Sequence, residues 1–110
     1  MTDREMLELA AKAMGFKDYS MHGNMVFIET GDVKGESGYY WNPLTDDGDA
    51  LRLAVKLNLS ADFFDDEIKV GYTPNDNDCD QVSEPIDNDP YAATRRAIVR
   101  AAAEMGREKK

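Results

Sequence analysis

Two residue types from which reactive and metal-binding sites are commonly built are almost missing from this 110-residue chain, which has one cysteine, Cys79, and one histidine, His22. A lone cysteine excludes an internal disulfide and suits a reducing compartment. A structural zinc site takes about four ligands, usually several of these two types, and the chain is short of them. A Cys–His nucleophile pair would need Cys79 as a thiolate, which the neighbouring Asp76, Asp78 and Asp80 disfavour. Basic residues are also few: 13 Lys and Arg stand against 22 Asp and Glu, for a net charge of −9. That balance, with a pI near 4.5, argues against direct nucleic-acid binding, because phosphate contacts need clustered cations. No apolar run approaches the roughly 18–20 residues of a membrane span. The opening Met1-Thr2-Asp3-Arg4-Glu5 has neither the basic nor the apolar region of an export signal. The expectation is a cytoplasmic protein with no membrane partner. No glycine-rich loop leads into a helix, so there is no phosphate cradle; Gly31 and Gly35 flank a turn instead.

What is present is an uneven distribution of charge. Residues 29–89 hold sixteen acidic side chains and four basic ones, whereas the two flanks together hold six acidic and nine basic. The length fits one domain, 1–110, with one modest core.

Periodicity and end signals divide the chain into seven elements. Thr2 to Glu5 matches a capping box, and Met6, Leu9, Ala10, Ala13 and Met14 recur at helical spacing before Gly15, predicting a helix over about 3–14. Asn24–Thr30 and Ser37–Trp41 read as the strands of a hairpin, ended by Pro43. Acids at Asp46, Asp47 and Asp49 open a helix over about 47–57, with Leu51, Ala54, Val55 and Leu57 inward. Leu59, Ala61 and Phe63, then Ile68, Val70 and Tyr72, alternate on either side of an Asp65-Asp66 turn as two half-buried strands. Residues 74–88 read as a polar loop. Asp89-Pro90 then starts a last helix, with Tyr91, Thr94, Ile98, Ala101 and Met105 inward, Arg95, Arg96, Arg100 and Arg107 outward or near its end, and Gly106 as its stop. The order is α-β-β-α-β-β-α, an α+β fold with an antiparallel sheet of about four strands and helices packed on it.

Three segments carry a resemblance: Thr2–Ala11, Trp41–Ala54 (WNPLTDDGDALRLA) and Asp89–Ala102 (DPYAATRRAIVRAA). Together they resemble small phage and prophage proteins of the phage ABA-sandwich family. The resemblance covers the three helices and their lead-ins; the strand region and acidic loop are the chain's own. It implies a layered α/β/α sandwich and a phage-derived accessory protein in the cytoplasm of a bacterial host. It implies no activity, cofactor or site residue.

Candidate chemistry is thin. Asp76-Asn77-Asp78-Cys79-Asp80 opens like a calcium loop, but Gln81 stands where the turn needs glycine, and Asp87 is shorter than the usual bidentate glutamate. The paired acids at Asp46-Asp47 and Asp65-Asp66-Glu67 fall at helix and hairpin boundaries, where capping and turn roles account for them. No catalytic, cofactor or metal site is expected, and the protein is read as a non-enzyme. Tyr39-Tyr40-Trp41 carries more weight: in a strand Tyr40 points opposite to its two neighbours, so one large aromatic can face outward. An aromatic face rimmed by Asp65, Asp66 and Glu67 is therefore the candidate partner surface. The leading functional class is a module that binds a host or phage protein, with self-association left open. The alternative is a DNA-mimic inhibitor whose carboxylates imitate phosphates; an enzyme with a non-obvious site is third.

Overall fold

The computed structural model describes residues 1–30, 37–73 and 79–108. Helix α1, Asp3–Met14, is closed at both ends by the residues its sequence marked. The Thr2 hydroxyl oxygen accepts from the Glu5 amide at 3.1 Å and its proton is donated to Glu5 Oε1, while Gly15 takes the left-handed conformation. Helix α2 spans Asp47–Lys56 behind the N-cap Asp46. Helix α3 spans Pro90–Glu108, and the Asp89 carboxylate accepts from the amides of Tyr91 and Ala92.

The strands form two antiparallel three-stranded meanders, where one sheet of about four strands had been expected. The first comprises β1 (Tyr19–His22), β2 (Met25–Glu29) and β3 (Gly38–Trp41) in that order. The second comprises β4 (Ser60–Phe63), β5 (Glu67–Tyr72) and β6 (Asp80–Pro85), again in chain order. Both expected hairpins form: Phe27 pairs with Tyr40, and Ala61 with Val70. The two additional strands are edge strands with little apolar content. In β1, His22 pairs directly with Met25, so Gly23 (φ 64°) and Asn24 make a two-residue turn. In β6 only Val82 is buried, opposite Val70, so the polar loop expected over 74–88 is a strand across 80–85. Residues 74–78 lie outside the described residues.

The helices connect the sheets. Helix α1 packs on β2 and on α3, while α3 packs on β5 and β6 and carries α2 on its flank. Seven α3 residues from Ala97 to Gly106 are buried, distributed around the helix, as expected of an element enclosed by neighbours. Gly106 does not stop the helix; it lies within it, where α3 meets α1. One apolar cluster unites Met6 and Leu7 of α1, Val26 and Trp41 of the first sheet, Ile68 and Val70 of the second, and Val99 of α3.

Part of the uneven charge of the sequence is folded back on itself. Three α3 arginines expected on the outside bind other elements: Arg95 to Asp47 and Arg100 to Glu84 and the Ser83 carbonyl, all in the acidic middle, and Arg96 to Glu84 there and to Asp3 of α1.

Candidate functional site

An apolar groove opens between α2, β4 and the start of α3. Ala50 and Ile98, both buried, form its floor, and Leu51, Phe63 and Tyr91 form its walls. Its volume is about 500 Å³, within the range of sites that receive a ligand or a partner's side chains. The wall residues are far from satisfied by the fold: Leu51 is 64% exposed, Phe63 67% and Tyr91 71%, and Val55, one turn along α2, is 68% exposed. Large apolar side chains clustered at this exposure mark an interaction surface more often than isolated ones do.

Local structure explains each position. Phe63 and Ala61 share the face of the second sheet that carries Ile68 and Val70, their partners in register, but β4 is the edge strand. Ile68 and Val70 are covered by the core, whereas all four residues of β4 are exposed. The half-buried strand expected at β4 is therefore an uncovered one. On α2, Ala50, Leu53, Ala54 and Leu57 make one inward stripe, and Leu51 and Val55 make a second stripe one position round the helix. The expectation that Leu51 and Val55 face inward is corrected because the first stripe already fills the α2–α3 contact. Tyr91, also expected inward, sits in the first turn of α3, ahead of the helix's first buried residue, Ala97.

The polar groups of the groove are committed. Arg95 Nε donates to the Leu44 carbonyl at 2.9 Å, and its Nη1 meets Asp47 Oδ1 at 2.6 Å. This ion pair leaves the rim close to neutral and fixes the spacing of α2 and α3. Behind it, Asp49 accepts from the Asn42 amide at 2.9 Å and from Arg52 at 2.7 Å, locking the Trp41-Asn42-Pro43 corner to α2. The Asp49 hydrogen bond holds the Arg52 guanidinium more firmly protonated than usual. Along β4 and its turn, Asp62, Asp65 and Asp66 are exposed and pair with no cation among the described residues.

No family model, no curated protein and no solved structure matches this chain.

The residues that the sequence singled out fall in separate places. Trp41 is 2% exposed and meets Phe16 edge-on at 5.3 Å, so it is core and not partner surface. Tyr40 is 56% exposed on the outer face of the first sheet, where its ring meets Phe27 at 5.3 Å and His22 at 6.3 Å. Tyr39 is exposed on the opposite face. Asp65, Asp66 and Glu67 do not rim either face: Asp65 and Asp66 lie in the β4–β5 turn of the other sheet, and Glu67 opens β5. There the Asp66 carbonyl accepts from the Ile86 amide and Glu67 lies 3.7 Å from Lys69. His22 and Cys79 lie on different sheets' segments, with Ser20 and Thr73 as their respective polar neighbours. Residues 80–85, which would complete a calcium loop, are paired into β6. Among the described residues no cluster of three or more His, Cys, Asp or Glu is placed to hold a metal ion, and no helix is long and apolar enough to cross a membrane.

The groove was missed because its residues are apolar and periodic, which reads as core. The signal that betrays it is the surplus on α2: six apolar residues from Ala50 to Leu57 exceed what one inward stripe accommodates.

Proposed function

We propose that this chain is a small acidic accessory protein, of phage or prophage origin, that acts by binding another protein in the cytoplasm of its host. The origin rests on the likeness of the three helical segments to the phage ABA-sandwich family. The binding reading is carried by one observation, the uncovered groove of Leu51, Phe63 and Tyr91, with Val55 beside it. Burying such side chains against a partner contributes about 25 cal/mol per Å² of apolar area removed from water, an upper estimate before association costs. The DNA-mimic alternative is weakened by the arginines of α3, which engage Asp3, Asp47 and Glu84 and so withdraw carboxylates from a phosphate-like array.

A tagged full-length protein, incubated with nuclease-treated bacterial lysate, tests this. The expected result is one partner that persists at high salt and is lost by Leu51→Glu and by Phe63→Ser, with melting unchanged. A partner held equally by both variants would overturn the groove reading, and one displaced by DNA would favour mimicry.

A further inference from the structure

The groove has an open strand as one of its walls, and the two features together define a partner. Strand β4 forms one edge of the second sheet, all four of its residues are exposed, and no backbone hydrogen bond from its outer side is made within the described residues. The opposite edge is closed: β6 ends in Pro85, which has no amide proton, and Arg100 donates to the Ser83 carbonyl. An unpaired edge is a template for a further strand.

The faces of β4 specify what that strand carries. Successive side chains of a strand point to opposite faces. Ala61 and Phe63 share one face, in register with Val70 and Ile68, and Phe63 lines the groove, while Asp62 lies on the other face, in register with Lys69. Lys69, opposite Asp62, engages Glu67 at 3.7 Å and lies 5.8 Å from the Phe64 ring centre, and Asp62 itself makes no ion pair among the described residues. Asp65 and Asp66 extend the negative charge into the following turn. A strand laid beside β4 therefore meets an apolar slot on one face and carboxylates on the other.

We propose that the β4 edge accepts an extended segment of a partner protein as a fourth strand of the second sheet. Apolar residues of that segment alternate with Lys or Arg, the apolar side chains entering the groove against Leu51, Phe63 and Tyr91 and the cations facing Asp62. This rests on the protein-binding reading and names the chemistry of the partner. A second copy of the chain is disfavoured as the occupant, because pairing β4 with β4 would bring Asp62, Asp65 and Asp66 against their own counterparts between two molecules of net charge −9.

The test uses the full-length, ¹⁵N-labelled protein and two synthetic peptides. One alternates Lys with Val and has a central Trp in a Val position; the other carries Glu in place of every Lys. The Lys peptide is expected to slow amide exchange across Ser60–Phe63, to shift Leu51 and Tyr91, and to bind more weakly as salt rises. Asp62→Lys should weaken it about fivefold and improve the Glu peptide, since like charges replace an opposite pair. Phe63→Ser should weaken both peptides. Equal binding of the two peptides, or groove shifts without protection of β4, would overturn the strand-addition proposal while leaving the protein-binding reading intact. So would failure of both peptides beside a lysate partner that still depends on Leu51 and Phe63. Loss of that lysate partner as well would overturn both. Protection of Ser60–Phe63 that rises with protein concentration alone would make the occupant a second copy.

Discussion

Gly106 lies against the backbone of Leu9, so that a Cβ at position 106 would collide with the Leu9 carbonyl oxygen. The closest approach of α1 and α3 thus depends on a missing side chain. Alanine favours a helix over glycine by about 1 kcal/mol, but overpacking costs about 1–3 kcal/mol when the neighbour is rigid. Gly106→Ala is expected to lower stability in urea despite the better helix former, and a stabilised protein would contradict the close packing.

Asp49 links the corner after β3 to α2 through the Asn42 amide and Arg52. Removing an acceptor from a mostly buried amide costs about 1–3 kcal/mol. Asp49→Ala should lose that much in chemical denaturation, while Asp49→Asn, which keeps an acceptor, should lose less.

Glu84 receives Arg96 and Arg100 and is mostly covered, whereas Glu104 pairs with Arg107 and is more exposed. An exposed pair contributes about 0–1 kcal/mol. Glu84→Gln should therefore destabilise clearly more than Glu104→Gln, and the smaller effect should vanish first as salt is added.

Tyr72 is buried and faces Asp80, and both burial and that charge push its phenol above the ordinary value. Its protonated form is thus favoured in the folded state, and the unfolded chain ionises first as pH rises. The stability it contributes is complete below the ordinary phenol range and is lost as pH climbs through that range toward the raised value. Urea midpoints measured from about pH 9 to about pH 11 should fall, and Tyr72→Phe should flatten the decline.

Leu51 and Val55 are exposed, so replacing them by polar helix formers leaves the core untouched. Leu51→Glu should change stability by no more than about 0.5 kcal/mol. A loss of several kcal/mol, read in the same urea titrations, would place Leu51 in the core.

The helix starts and the end of α1 were legible almost to the residue, because Thr2, Gly15, Asp46 and Asp89 each act locally on the backbone they terminate. The hairpins of Phe27 with Tyr40 and Ala61 with Val70 were legible from alternation and turn residues. Strand β1 had a sign that was passed over, the two-residue Gly23-Asn24 turn. Strand β6 had almost none, since a single buried Val82 cannot establish a period. The groove was legible only in the apolar surplus of α2. Leu51, Phe63 and Tyr91 have the residue types and spacing of core positions, and only the tertiary limit of the α2–α3 contact and the edge position of β4 leave them uncovered. Gly106 shows the same limit: a glycine near a helix end signals a stop, and here it signals a neighbour that is distant in sequence.

The pairing of the first helix with the last has a consequence for how the protein is made. Arg96 binds Asp3 across 93 positions, and the α1–α3 contact seals the apolar cluster. On a ribosome adding about 5–20 residues per second, α1 waits on the order of ten seconds for that surface to emerge. During that interval Met6 and Leu7 have no final home, while the first meander can already form from neighbouring residues. A nascent chain carrying this fold should therefore become resistant to protease only after α3 clears the exit tunnel, late and in one step.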